Sequence, residues 1–262
     1  MYSFDYQRPR TAADAARAAQ GDARYLAGGQ SLVQAMRLRL SSSETLVDLG
    51  GIAGMAAITV DGAAVTIGAM ATHAAVAASS EVQRAIPALA KLAGDIGDPS
   101  VRNMGTLGGA VANADPAADY PAALVGLGAT VQTDQREIAA EDFFTGLYET
   151  ALRPGELLKA VRFPIPRRAA YEKFKQPASR FAMVGVFVSE CAQGVKVAVT
   201  GAGASVFRVK AMEEALTTRF AAEAIKDIQV SADGLNSDMH ASAAYRAAMV
   251  AVMAQRAVAQ AG

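Results

Sequence analysis

GDIGDPSVRNMGTLGGAVANADPAADYP, residues 94–121, packs glycine, proline, Asn and Asp too densely for a regular helix or strand and predicts one long loop. A loop of that length inside a compact domain is usually functional. Within it, Thr106-Leu107-Gly108-Gly109 sets two glycines beside a hydroxyl side chain, with Asn113, Asp115 and Asp119 following. Successive backbone N–H groups in such a turn converge on an anion, and the missing Cβ atoms let the chain approach it closely. The same residues also read as plain turn chemistry, with Asp98 and Asn103 setting turns and Asp115 preceding Pro116.

Upstream, LAGGQSL, residues 26–32, is the end of a predicted strand running into a glycine pair and two small polar side chains. Ala27, Gly28, Gly29, Gln30, Ser31 and Leu32 form a second candidate nest; alone it is as readily a mere turn. Two such nests in one chain suit a diphosphate that bridges them better than a single phosphate. A third glycine-rich stretch, Gly201-Ala202-Gly203-Ala204 after a strand, imitates a dinucleotide fingerprint but fails, because its third glycine would fall at Val206. It is expected to be a turn.

Around these motifs the chain divides into three. A capping-box-like Thr11/Asp14 helix start, strands near Tyr2–Tyr6, Ala23–Ala27 and Thr45–Leu49, and LVQAMRLRL make a βαβ-type unit, residues 1–53. Residues 54–166 begin with a hairpin, Met55–Val60 and Ala64–Met70 through Asp61-Gly62. Helix from Val82 to Leu92 broken at Pro87, helix from Ala122 to Gly128, a hairpin over Thr130–Ile138 and a strand over Glu156–Phe163 complete it. Pro164, Pro166, Arg167 and Arg168 form the break. Residues 167–262 then hold an antiparallel pair, Phe181–Ser189 and Val195–Thr200, and helices over Val209–Leu216 and Met239–Ala259 around a short strand near Gln229.

Composition narrows the chemistry. Lys plus Arg and Asp plus Glu each number 25, so no overall positive field draws the chain to nucleic acid or anionic lipid. Trp is absent and aromatics are 6%, which gives little material for base stacking. No window of 18 or more uncharged apolar residues predicts a transmembrane segment, and the opening MYSFDYQRPR lacks a leader pattern, so the expectation is a cytoplasmic protein. With one cysteine, Cys191, and two histidines, His73 and His240, the chain cannot build a disulfide, an iron–sulfur cluster or a multi-thiolate zinc site of its own.

No local triad suggests a self-contained hydrolase, and Cys191 has no neighbouring His to activate it. His73, in GAMATHAAV, either hydrogen-bonds a cofactor or starts a helix beside Thr72; both residues stand as candidate cofactor contacts. Lys173 and Lys175 alternate with Phe174, so Lys175 either faces an anionic ligand or is simply solvated.

LAGGQSL (26–32), GDPSVRNMGTLGGAVANADPAADYP (97–121) and YEKFKQPASRFAMVG (171–185), in that order and spacing, resemble the FAD-binding medium subunit of the xanthine dehydrogenase and aerobic carbon monoxide dehydrogenase family. The resemblance runs nearly end to end. It implies an α+β protein: two subdomains holding FAD in a fold of the vanillyl-alcohol oxidase (PCMH) type, followed by a small α+β C-terminal domain. It further implies that Ala27–Leu32 and Thr106–Gly109 cradle the pyrophosphate, with Asn113, Ala118 and Asp119 along the same ligand. Ile96 and Leu158 would lie against the isoalloxazine, with Lys175 near the flavin. Ile96 departs from the aromatic of the xanthine dehydrogenase branch; Phe181 would cover the flavin face instead, as in the carbon monoxide dehydrogenase branch. The implied role is electron transfer: from a large molybdopterin subunit, through the 2Fe–2S clusters of a small subunit, to this FAD and on to an external acceptor, in a dimer of heterotrimers. An independent FAD-dependent oxidoreductase of the same fold is the competing reading, and a non-catalytic nucleotide-binding scaffold a third.

Overall fold

A computed structural model describes residues 1–261. Near the N-terminus β1 (Asp5–Gln7) leads into α1 (Ala12–Ala18), which Thr11 caps by accepting the Asp14 N–H at 3.1 Å. The chain then forms β2 (Ala23–Leu26), α2 (Leu32–Arg37) and β3 (Thr45–Asp48). β3 lies between β1 and β2, parallel to both. This is the βαβ arrangement that the alternation of strand and helix patterns predicts.

The next sheet is antiparallel throughout. The hairpin of β4 (Ile58–Val60) and β5 (Ala64–Gly68) turns on Gly62, whose φ of +86° explains the glycine. α3 (His73–Ala78), α4 (Ser80–Ala85) and α5 (Pro87–Gly94) follow, Pro87 standing at the start of α5 where its missing N–H costs nothing.

Here the structure corrects the sequence reading. Residues 94–121 are not one irregular loop: they hold α6 (Pro99–Met104), α7 (Leu107–Asn113) and the start of α8 (Tyr120–Leu127). The residues taken as loop markers are helix ends and close-packing positions. Asp98 accepts the Val101 N–H at 2.9 Å, Pro99 opens α6, and Thr106 caps α7.

The sheet is completed by β6 (Thr130–Thr133) and β7 (Glu137–Ala139), and, after the single turn α9 (Ala140–Phe143) and the small ribbon β8 (Phe144–Gly146) and β9 (Glu149–Thr150), by β10 (Leu158–Pro164). Its order is β4-β5-β10-β6-β7.

After Ile165–Arg167 the chain enters a separate antiparallel sheet, β11 (Arg168–Lys175), β12 (Ala182–Cys191), β13 (Gly194–Thr200) and β14 (Phe207–Arg208), covered by α10 (Lys210–Thr218) and α11 (Ala243–Ala261). Its face toward α10 and α11 forms its own core around Val186, Val197, Met212 and Val250. Two expectations fail here. No strand forms near Gln229, and α11 begins four residues later than Met239, because Asp238 first accepts the His240 and Ala241 N–H groups in a turn.

α8 joins the halves. Every residue from Tyr120 to Leu127 is buried, so this all-apolar helix has no solvent face. Its packing against β12 and β13 brings Phe187 and Tyr171 into the core of the first two sheets.

Candidate functional site

Three connectors meet at the centre of the molecule: Ala27–Ser31 between β2 and α2, Ala69–Thr72 between β5 and α3, and Gly105–Thr106 between α6 and α7. The last two zip together. Gly108 N–H donates to Ala69 O at 2.8 Å, Leu107 N–H to Ala71 O at 2.9 Å, and His73 N–H to Gly105 O at 3.0 Å. A Cβ on Gly108 would stand 2.5 Å from that of Ala69, and one on Gly105 would stand 2.5 Å from His73 Nε2. The first connector lies backbone to backbone on this zipper: a Cβ on Gly28 would be 1.8 Å from Met104 O. Gly29 takes φ +73°.

The expected pair of anion nests turns out unequal. At the start of α7 the amides are committed to protein: Leu107 and Gly108 as above, and Gly109 to the Thr106 hydroxyl at 3.1 Å. The anion nest expected from the second motif is therefore filled by the protein's own carbonyls and cap. From Gly28 to Leu32, by contrast, no N–H donates to a protein group among the described residues, and the Ser31 side chain caps nothing. Five successive donors are left for something else.

Those donors line a cavity of about 510 Å³, within the range of small-molecule sites. Ala27 to Leu32, His73, Ile96, Thr106, Gly108, Gly109, Asn113, Ala118, Asp119, Leu158 and Phe181 all border it. Thr72 does not; it caps α3 by accepting the Ala75 N–H at 3.1 Å. Lys175 does not either: its side chain is 52% exposed and lies 3.5 Å from Asp95. The register of β11 against β12 shifts between Phe174 and Lys175, so strict alternation fails there. The buried lysine is Lys173, whose side chain is 1% exposed.

Several wall residues had no mark in the sequence. Tyr25 and Glu156 come from distant segments, the Tyr25 hydroxyl donating to Gly155 O at 2.8 Å. Glu156 is clamped by Arg136 at 3.0 Å and by the Thr133 hydroxyl at 2.8 Å, and the Arg136 guanidinium foremost holds its carboxyl down at about 2. Tyr120 adjoins His73, ring centroids 5.4 Å apart. Its one local signal is its place between Asp119 and Pro121 at a helix start.

Two polar atoms here are buried without partners, His73 Nδ1 and the Tyr120 hydroxyl, and both residues border the cavity. Burial, seconded by the Arg102 charge, pushes the His73 imidazole down to about 4, so it is neutral at pH 7. Asp119 is buried, accepts the Tyr171 O–H at 2.5 Å and pairs with Lys173 at 3.0 Å. Burial pushes its carboxyl up and Lys173 opposes the shift. Free amides on one side and apolar Ile96, Leu158 and Phe181 elsewhere suit a ligand with an anionic part and a flat apolar part.

Residues 2–166 match the family described as FAD binding domain in molybdopterin dehydrogenase. The carbon monoxide dehydrogenase medium chain of Afipia carboxidovorans is 36% identical over 98% of this chain and 96% of its own length. This chain belongs to that family. The nicotine 6-hydroxylase medium subunit of Paenarthrobacter nicotinovorans is 32% identical, covering 92% of this chain and 90% of that one. Among solved structures, carbon monoxide dehydrogenase from Hydrogenophaga pseudoflava superposes with a TM-score of 0.90 at 32% identity over 99% of this chain and 97% of that chain. Quinoline 2-oxidoreductase from Pseudomonas putida 86 does so at 0.89 and 28%, over 99% and 97%. The molybdopterin dehydrogenase flavin domain thus accounts for the first two sheets, and the similarity of the whole medium subunits extends through the third.

Proposed function

We propose that this chain binds FAD along the central cavity and serves as the electron-transferring medium subunit of a heteromeric molybdenum hydroxylase. The observation that carries the binding is the run of five unpartnered amides from Gly28 to Leu32 on the cavity wall. Those amides and the Ser31 hydroxyl hold the phosphate oxygens, where charge-assisted hydrogen bonds are strongest. The second glycine turn acts as backing: it fixes the first turn at the distance that Gly28 permits. Ile96, Leu158 and Phe181 supply the apolar surface for the ring system, and Lys175 stands at the surface nearby. Bound FAD supplies reversible redox chemistry. The chain's own residues bind and orient it and, through the buried walls, limit water.

The relatives are named for carbon monoxide, nicotine and quinoline chemistry, so the substrate is chosen outside this chain. We assign residues 1–53 and 54–166 to the two flavin-holding subdomains of a PCMH-type fold and 167–262 to the C-terminal domain. A large molybdopterin subunit and a small 2Fe–2S subunit are the partners, in a cytoplasmic dimer of heterotrimers. No helix among the described residues is long and apolar enough to cross a membrane.

The test is expression with and without the neighbouring large and small subunits. The chain should purify yellow, with stoichiometric FAD released on denaturation, and its flavin should bleach with the substrate of the complex only when both partners are present. A colourless chain that takes up no FAD sinks the binding reading; bleaching of the lone chain by that substrate would make it an independent oxidoreductase.

A further inference from the structure

Lys173 is the buried cation of the site, and the family's glycine motifs do not explain it. Its ammonium lies 3.0 Å from Asp119 Oδ1 and 2.9 Å from the Asp95 carbonyl, and the Asp95 carboxylate is 3.8 Å away. Of its three N–H donors, two are thereby spent on two different loops. Asp119 borders the cavity directly, and Asp95 is followed at once by Ile96 and Gly97, which also border it. Lys173 itself sits on β11, in the C-terminal sheet.

The same sheet holds the neighbouring wall by other bonds. Gly201 N–H donates to Pro116 O at 2.8 Å, the Thr200 hydroxyl to Ala118 O at 2.6 Å, and Ala182 N–H to Ala117 O at 3.3 Å. Residues 116–119 are thus fastened from outside the flavin-domain match. Arg180 adds a contact to Gly97 O at 3.3 Å. Among these fastenings only Lys173 reaches both loops.

Charge points the same way. Asp119 is 4% exposed, and an uncompensated carboxylate there would repel an anionic ligand and carry a heavy desolvation cost. With Lys173 in place the pair is neutral.

We propose that Lys173 is a positioning residue of the flavin site: it ties the Asp95–Gly97 and Ala118–Tyr120 segments to the C-terminal sheet and cancels the Asp119 charge that faces the ligand. This rests on the FAD reading above. The C-terminal sheet is then part of the cofactor site, and loss of the tie opens one end of the cavity while the Gly28–Leu32 amides stay in place.

The experiment compares FAD dissociation constants and flavin absorption spectra for the full-length wild type, Lys173→Met, Lys173→Met/Asp119→Asn and Glu213→Gln, with apo-protein melting measured in parallel. Glu213 is also a buried carboxylate, bonded to Arg208 and the Val197 N–H, and does not border the cavity. Lys173→Met should weaken FAD at least about tenfold and blur the resolved shoulders of the flavin band, since a broken buried pair leaves a lone charge. The double variant, in which neither member of the buried Lys173–Asp119 pair is charged, should recover much of the affinity. Glu213→Gln should lower melting and leave FAD affinity alone. Wild-type-like affinity in Lys173→Met overturns the proposal, as does a loss matched by Glu213→Gln or no recovery in the double variant. A wild type that binds no FAD overturns the flavin reading and the proposal with it.

Discussion

The turns at Gly28–Ser31 and at Thr106–Gly109 look alike as strings of letters, each a glycine pair beside a hydroxyl, yet they do opposite things. The first, on the cavity wall, keeps its amides free of protein acceptors; the second spends its amides on Ala69, Ala71 and its own Thr106 cap. Glycine serves different ends in them. At Gly108 and Gly28 the absent Cβ lets two backbones touch, whereas Gly29 supplies the positive φ of the turn that leads into α2. Similar motifs therefore divide into a turn with free amides, the binder in the proposed function, and the buttress behind it.

The largest effect should come from forcing the two turns apart. Gly28→Val places carbon 1.8 Å from Met104 O, a backbone atom that cannot swing away. The variant should lose FAD entirely, with stability falling by about 3 kcal/mol or more from overpacking. Flavin-to-protein ratio and urea denaturation measure both; a yellow protein of normal midpoint would mean the turns do not touch. Gly109→Val is milder, since its Cβ meets only the Thr106 hydroxyl at 2.9 Å and Ala27 Cβ at 3.5 Å. It should wedge the buttress from the binding turn and lower FAD content with a smaller loss of stability, about 1–3 kcal/mol.

Much of this was legible in sequence, where the signal was local. The Thr11 cap, the Asp61-Gly62 hairpin and the antiparallel pair of Phe181–Ser189 with Val195–Thr200 announce themselves within a few residues. Residues 94–121 misled because Asp98, Pro99 and Thr106 are as good helix openers as loop formers, and nothing local tells which. Lys173 and Lys175 are indistinguishable by period-two alternation, and the register shift between Phe174 and Lys175 that separates them depends on pairing with β12. Tyr25 and Glu156 reach the cavity only through contacts across the fold.

Mild acid offers a way to reach the buttress through His73. His73 backs Gly105 and is pushed down to about 4, mainly by burial. Its folded value lies below the ordinary 6.5, so the unfolded chain takes up the proton first. Stability should therefore fall as pH drops below about 6.5 and the loss should be complete below about 4, on the order of 3 kcal/mol. Glu156, held down at about 2, loses its contribution only between its ordinary 4.5 and that value, so above pH 4.5 the His73 window stands clear of it. Denaturation midpoints measured from pH 8 to 4.5 should slope in the wild type and flatten in His73→Gln; an unchanged slope would remove His73 as its source.

The finest test separates the turns by their hydroxyls. Thr106 is 3% exposed and its oxygen accepts the Gly109 N–H, while Ser31 occupies the corresponding place before α2 and caps nothing. Thr106→Val keeps the shape and deletes the cap, which should cost about 1 kcal/mol of stability. FAD affinity, compared at equal folded fraction, should hardly change. Ser31→Ala should do the reverse: stability within about 0.5 kcal/mol of wild type, because no protein bond is lost, and FAD bound about tenfold more weakly, because one hydrogen bond to a charged group is gone. Thermal melts of apo protein and fluorescence titration of FAD supply the two axes. Should Thr106→Val weaken FAD as much as Ser31→Ala does, the second turn touches the ligand after all, and the division into binder and buttress collapses into one continuous cradle.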